Sequence, residues 1–346
     1  MIDNFFVKFR TVSWCADDGG GIFSVNFAAK QQNNQTFMED FNFRPLTLAD
    51  KPIVEHFTRR SECRNCDLNF MNLMSWRFLY DTEIAVVHGW LVFRFYADGH
   101  LAYQIPVGEG PWTDILPLMI DDARQMGHPF LLLGVCQRFV AELEKAFPDY
   151  FQFVIKREYA DYLYSRESLA TLSGKKLQPK RNFVNRFMRE HPDYQYRALE
   201  PADIPQCMLL EKQWQQNKAH EGQRPEAYEN ELRSMYYVFD HWEDLGGQGG
   251  VLLDGDQVLA FTFGAPVNYD TFDVCVEKAD ARVEGAFAMI NREFVRHLPP
   301  EYIWINREED LGIEGLRKAK LSYQPHVLLL KHAVMLKRPM EAERKV

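Results

Sequence analysis

A decapeptide pattern occurs twice in this chain. Phe43-Arg-Pro-Leu-Thr-Leu-Ala-Asp-Lys-Pro52 and Tyr196-Arg-Ala-Leu-Glu-Pro-Ala-Asp-Ile-Pro205 agree at the aromatic, Arg, Leu, Ala, Asp and Pro positions, 153 residues apart. Each reads as a strand leading into a helix. Asp50 and Asp203 suit the N-cap, and Pro52 and Pro205 fall in the first turn, where a missing N–H costs nothing. In a chain of 346 residues this spacing divides the sequence into two units, each long enough to bury a core.

The two halves continue alike. In the first, runs over 83–87, 90–96 and 101–107 are separated by His88-Gly89 and Asp98-Gly99. In the second, runs over 250–253, 257–264 and 271–277 are separated by Asp254-Gly255 and by residues 268–270. Asp-Gly between alternating apolar runs marks a hairpin. Amphipathic patterns over 115–126 and 286–298 predict a helix in each half, followed by one more strand. A meander, a helix and a neighbouring strand describe an α+β unit whose mixed, mostly antiparallel sheet is flanked by helices. The order resembles the GNAT acyltransferase fold, here as two tandem GNAT-like domains. The expected boundaries are 38–160 for the first domain, 161–193 for a basic inter-domain segment, 194–338 for the second domain and 339–346 for a tail. Residues 1–37 lack periodicity and read as an extension, either disordered or lying ahead of a translation start at Met38.

Composition then limits the function. An apolar content of 46% with 14% aromatics excludes a disordered chain. No apolar run approaches the ~18–20 residues that would cross a bilayer. A net charge of −9 argues against whole-surface attraction to nucleic acid or anionic lipid, so a polyanion would need a local patch. Six unevenly spaced Cys do not form a secreted disulfide framework, and a cytoplasmic location is expected.

Three longer strings carry a more specific resemblance. They are Cys66-Asp-Leu-Asn-Phe-Met-Asn-Leu-Met-Ser-Trp-Arg77; Tyr162-Leu-Tyr164-Ser with Leu172-Ser-Gly-Lys-Lys-Leu177 and Lys180-Arg181-Asn182; and Ile305-Asn-Arg-Glu-Glu-Asp-Leu-Gly-Ile-Glu-Gly-Leu-Arg-Lys-Ala-Lys320. They resemble the stand-alone bacterial relatives of the C-terminal catalytic domain of phosphatidylglycerol lysyltransferases, over roughly Met38 to Leu336. The resemblance implies a tandem GNAT fold and kinship with enzymes that move an aminoacyl group from charged tRNA to an acceptor, a lipid headgroup or another small molecule. Aminoacyl-tRNA is then the expected donor and tRNA the expected partner; the alternatives are a coenzyme A-dependent N-acetyltransferase, with acetyl-CoA as donor, and a pseudoenzyme that binds tRNA or a cell-envelope precursor.

Individual residues supply candidates. Lys175, Lys176, Lys180, Arg181, Arg186 and Arg189 form a basic run without an acid, suited to phosphates of tRNA or coenzyme A or, equally, to a solvated helix face. Asn182 belongs to the same segment. Lys278, Asp280, Arg282 and Gly285 precede a helix start where a phosphate would meet free N–H groups, although Phe287 stands where a close backbone approach asks for a small residue.

Acyl transfer needs a base, an oxyanion donor and an acid. Glu277 is the candidate base, with Asp273 as fallback four residues earlier on the same strand face. Tyr323 is the candidate acid, because GNAT enzymes often place a Tyr there. Lys318 and Lys320 cannot share a helix face, and Lys320 is expected near Tyr323. Asn306, Arg307, Glu308 and Asp310 either line a crevice or form a structural ion-pair network. Cys63 and Cys66 lack a second ligand pair, so no metal is expected. With Gly108-Glu-Gly110-Pro111 where a phosphate loop would stand, the first half reads as degenerate and the second as the site.

Overall fold

The repeated decapeptides fold alike in the computed structural model, which describes residues 41–97, 99–219 and 225–337. The 1–37 extension, the 339–346 tail and Asp98 of the expected hairpin turn lie outside the described residues. In each repeat a short strand, Arg44–Pro45 (β1) or Gln195–Ala198 (β9), precedes a 3-10 turn and a helix, Lys51–Thr58 or Ile204–Ala219. Asp50 stands at the N-cap of its helix with Pro52 in the first turn, as expected, but the side chain makes no cap hydrogen bond to that helix. The repeated Asp carboxylate reaches back to the N–H of Thr47 or Glu200, at 2.8 and 2.9 Å, and takes a fork from the repeated Arg44 or Arg197. The arginine hydrogen bond holds both carboxyls below the usual range. Two matching positions of the repeat are therefore one bonded pair, built twice.

The first sheet contains β1, Glu83–Val87 (β2), Trp90–Ala97 (β3), His100–Gln104 (β4), Val107–Gly108 (β5), Leu131–Cys136 (β6) and Phe151–Ile155 (β7). The second contains Asp161–Ser165 (β8), β9, Gln248–Asp254 (β10), Gln257–Pro266 (β11), Thr271–Ala279 (β12), Trp304–Asn306 (β13) and Val327–Leu329 (β14). Lys331–Leu336 (β15) returns to the first sheet. The orders are β1-β2-β3-β4-β6-β15-β7, with β5 on β3, and β14-β8-β13-β12-β11-β10-β9. Among the described residues only β4 with β6 and β12 with β13 run parallel.

The halves exchange strands. β8, within the segment expected to link the domains, enters the second sheet between β13 and β14, and β15, at the end of the expected second domain, enters the first between β6 and β7. Buried apolar side chains such as Leu163 and Val334 suit a central strand of either sheet, so local pattern cannot assign them. The cores are also joined: Leu91 and Phe93 of β3 belong to one apolar cluster with Phe261 and Phe263 of β11.

Two details shape the site. In β12, Phe263 pairs Val276 and Gly264 pairs Val274, so Cys275 is an extra, bulged residue. Asp273 and Glu277 consequently face opposite sides of the sheet, not the same side as four-residue spacing implies. The parallel pairs are short, covering Thr271 to Asp273 on β12 and Tyr103 to Gln104 on β4, after which the strands part. A crevice beyond the carboxyl ends of parallel strands is where open α/β sheets hold ligands.

A chain ending at Leu330 lacks the strand between β6 and β7. Limited proteolysis should then cut first within residues 129–160, with a lower thermal midpoint than the full chain. Asp203→Ala leaves Arg197 and the Glu200 N–H without their partner and should cost about 1–3 kcal/mol in urea unfolding.

Candidate functional site

The four charged residues after β13 send their side chains to four different places. Arg307 turns to Glu277, Glu308 accepts from Asn72 Nδ2 at 2.9 Å, Glu309 meets Lys331, and Asp310 enters a group with Arg157, Tyr162 and Arg317. Ordinary strand alternation offers two directions. The backbone supplies the others by taking left-handed φ values of 52° at Glu308 and 53° at Leu311. Asn306 Oδ1 accepts the Glu308 N–H at 2.7 Å, and Lys320 Nζ donates to the carbonyls of Arg307 and Glu309. Non-glycine residues held in this region cost about 1–3 kcal/mol each and cluster at functional sites.

Beyond the β12–β13 pairing, Arg307 Nη2 donates to Glu277 Oε1 at 2.8 Å, and Asn291 Nδ2, from the helix Ala286–His297, donates to Glu277 Oε2 at 2.9 Å. The guanidinium lies 4.7 Å from the ring centre of Tyr323 and 5.7 Å from that of Tyr164. Lys180, on the helix Gln178–Glu190, places Nζ 4.1 Å from the Tyr323 centre. Sequence therefore named four residues, Lys180, Glu277, Arg307 and Tyr323, that the fold brings together. Burial, and then the Arg307 charge, lower the Lys180 ammonium to about 8. Burial raises the Tyr323 hydroxyl, which stays protonated at neutral pH. Arg307 Nη1 is buried without a hydrogen-bond partner.

Lys320 turns inward onto the two carbonyls, while Lys318 pairs with Glu314 in solvent. Asp273 is fully buried across the sheet, where Asn69 and Asn72 donate to Oδ2 at 3.2 and 3.1 Å. Burial and the neighbouring Glu308 charge push its carboxyl well up. Asn306 is bonded to Arg64 O and Asp161 Oδ2, at 2.8 and 2.9 Å. Asp310 is wholly buried; burial alone would raise it, but donors from Arg317, Tyr162, the Gly312 N–H and Arg157 hold it well below the carboxylate range. Both are structural supports of the turn.

The phosphate candidates fare differently. Lys278 is buried between Glu211 and Glu231, at 3.1 and 2.9 Å, and ties two helices to β12. Asp280 and Arg282 satisfy each other in a two-pronged pair. Gly285, at φ 90°, makes room for protein: a Cβ there would lie 2.3 Å from the Phe183 carbonyl oxygen. The helix start expected to face a phosphate is covered by the helix Gln178–Glu190. Arg181 clamps its own loop through the carbonyls of Leu172 and Gly174, Asn182 accepts from Gln178, and Arg186 pairs with Glu190 and Glu284. Lys175 and Lys176 are exposed at the turn before that helix.

The parting of β4 and β6 in the first half opens a cavity of about 120 Å³ with ion pairs at its polar end. Its walls include Trp76, Tyr80, Phe93 and Phe95, and its polar end Asp67, Glu309 and Lys331. Lys331 Nζ reaches Asp161 at 2.7 Å, Asp67 at 3.1 Å, Glu309, and Cys66 Sγ at 3.7 Å. Cys63 is buried with Sγ 3.8 Å from that of Cys136. Sequence reasoning missed Lys331, Asp161, Asp67 and Asn291. Asp67, Asn72 and Tyr164 stand in strings that carried the family resemblance, but Lys331 had no signal beyond one charge ahead of an apolar run.

The family model for phosphatidylglycerol lysyltransferase, C-terminal, matches residues 58–334. The chain belongs to this family. A conserved protein of unknown function from Bacteroides thetaiotaomicron is 49% identical with a TM-score of 0.83, covering 86% of this chain and all (100%) of that one. The C-terminal domain of a candidate lysylphosphatidylglycerol synthetase from Agrobacterium fabrum (13% identity, TM-score 0.59, 85% and 93% covered) and L-PGS from Bacillus licheniformis (16%, 0.55, 84% and 93%) share the fold. An uncharacterised protein from Mycoplasmoides gallisepticum is 24% identical over 194 residues, a match spanning 61% of its length. The fold is two tandem GNAT-like domains, and family and fold support an acyltransferase of the type of the lysylphosphatidylglycerol synthase C-terminal domain. Among the described residues no helix is long and apolar enough to cross a membrane.

Burial and the Glu309 charge push the Glu308 carboxyl up to about 8. The unfolded chain loses that proton near the ordinary value of about 4.3, so the folded state holds the extra proton in between, and stability falls as pH rises from there toward 8. Glu308→Gln keeps the oxygen that accepts from Asn72 and should flatten part of this slope. Its thermal midpoint should exceed that of the unsubstituted protein at pH 8 and match it near the unfolded value.

Proposed function

We propose that this protein transfers an aminoacyl group from aminoacyl-tRNA to an amine or hydroxyl acceptor, at the cluster of Arg307, Glu277, Lys180 and Tyr323. The observation that carries the reading is the buried Arg307 Nη1, a charged donor with no partner, beside a lysine that titrates near neutrality. Attack on the ester carbonyl forms the new N–C or O–C bond and places negative charge on the carbonyl oxygen, where a fixed cationic donor is worth most. Glu277, first named as the base, instead accepts from Arg307 and Asn291 with a side chain 10% exposed, and so acts by positioning the guanidinium. The neutral fraction of Lys180 takes the proton of the attacking group. Tyr323, protonated at working pH, donates toward the departing ribose oxygen as the ester C–O bond breaks. Lys175 and Lys176 offer exposed charge for tRNA phosphates on the same helical segment.

The coenzyme A reading loses its phosphate loop, because the Gly285 backbone packs on the Phe183 carbonyl. Incubating the protein with labelled aminoacyl-tRNAs and a cell extract should move label to a new product. Coenzyme A bound after purification, with no label moved, would favour acetyl transfer instead.

Arg307→Lys removes the Nη1 donor while keeping the charge and should lower kcat/KM roughly 10²–10³-fold. For the unsubstituted enzyme, kcat should rise with pH and level off above about 8 as Lys180 deprotonates. Lys180→Met should abolish that rise.

A further inference from the structure

The first half holds a second cavity, of about 160 Å³, walled in part by Trp90, Gly108, Trp112, Arg138 and Cys63. Arg138 keeps 57% of its side chain exposed, so the cavity meets solvent. Cys63 Sγ lies 3.8 Å from the Sγ of Cys136, which is the last residue of β6 and the N-cap of the helix Gln137–Ala146. Both are free thiols in buried positions. The backbone fixes each from a different side. The Cys63 carbonyl accepts from Asn268 Nδ2 at 3.1 Å and the adjoining Arg64 pairs with Asp270 at 2.6 Å, which anchors that segment on the second half. Cys136 is held in the first sheet, opposite Lys331.

The two thiols are not equivalent. The Cys136 S–H, donating to Cys63 Sγ, holds the Cys63 thiol below its ordinary value in spite of burial, and the Asn65 N–H adds to this. The same contact, together with burial, pushes the Cys136 thiol well up. The other described cysteines also go up: Cys66 through burial beside Asp161 and Glu309, Cys275 through burial beside Asp273, and Cys207 through burial, to about 12. Cys63 thus has the most thiolate character among the described cysteines, and it also faces a cavity open to solvent. Thiolate character and access are what make a cysteine reactive.

We propose that Cys63 is a site of reversible oxidation by hydroperoxides, with Cys136 as the thiol that resolves it to a disulfide. The Cys63 thiolate attacks one peroxide oxygen: an S–O bond forms, the O–O bond breaks, and the departing oxygen takes a proton and leaves as water or an alcohol. Cys136 then gives up its proton and attacks the sulfenic sulfur. An S–S bond forms, the S–O bond breaks, and the second oxygen leaves as water. The two thiols have lost two electrons, which the peroxide has taken up. The sulfurs need only close from 3.8 Å to an S–S bond of about 2.05 Å. Hydrogen peroxide, with the bulk of about two waters at ~30 Å³ each, fits the cavity. The assignment does not depend on whether group transfer occurs at Arg307.

Treating the folded full chain with hydrogen peroxide, alkylating the remaining thiols in denaturant and mapping the peptides tests this. One link, between the peptides of Cys63 and Cys136, should form and be undone by dithiothreitol, with Cys66, Cys207 and Cys275 still alkylated. Because the fold holds the sulfurs together, the link should form roughly tenfold or more faster in the folded chain than in the urea-unfolded chain. Cys136→Ser should leave Cys63 as a sulfenic acid that dimedone captures, and Cys63→Ser should leave Cys136 alkylated. The comparison with the unfolded chain uses no variant, so it holds even where a substitution disturbs the core. No link at millimolar peroxide, another described cysteine oxidised ahead of Cys63, or an equal rate of linking in urea would overturn the assignment.

Discussion

The contact between Lys331 and Asp161 holds the molecule in its observed topology. Each is the first residue of an exchanged strand, Lys331 of β15 and Asp161 of β8, and their side chains meet at 2.7 Å where the two strands leave for opposite sheets. Neither charge is exposed: Lys331 is 7% accessible and Asp161 0%. Burial alone would strip the lysine of its proton, yet Asp161, Asp67 and Glu309 keep it charged. Such a buried group adds less net stability than its contacts imply, because taking each ion from water costs several kcal/mol. Its consequence is specificity. A strand in the wrong sheet would leave a buried charge alone.

The same ammonium ties together the pieces that form the site. Asp161 accepts from the Cys66 N–H and from Asn306 Nδ2, at 2.9 Å each, so the turn before the first-half helix Phe70–Ser75 and the end of β13 hang on one carboxylate. From there the left-handed Glu308 lets consecutive residues face different environments. Arg307 serves the parting of β12 and β13, and Glu309 serves that of β4 and β6. The two crevices are thus opposite sides of one short segment. One is filled by a guanidinium–carboxylate pair, and the other keeps an open volume beside the Lys331 ion pairs.

Much of this was legible in the chain. Both meanders and both helices lie close to where alternation and amphipathicity place them, because those patterns depend on neighbours a few residues away. Lys180, Glu277, Arg307 and Tyr323 could be named because each type has a use in acyl transfer and stands near an element end. What misled were features that local sequence does not encode. The bulge at Cys275 moved Asp273 to the other face, and Gly285, apparently shaped for a phosphate, is shaped for the Phe183 carbonyl. Lys278 and Arg181, free charges on paper, are spent on Glu211 and Glu231 and on loop carbonyls.

Sequence by itself determined the doubling, the element order and the chemical types available, since a repeated Arg–Asp pair, turn residues and apolar periods act over short range. Tertiary structure decided which strand completes which sheet and therefore where the site lies. β8 and β15 carry the same kind of apolar pattern, and backbone hydrogen bonding in a sheet does not distinguish one apolar strand from another. The pairing of two buried charges distant in the chain, Asp161 and Lys331, is among the contacts that belong to the exchanged arrangement, and it exists nowhere until the fold is complete.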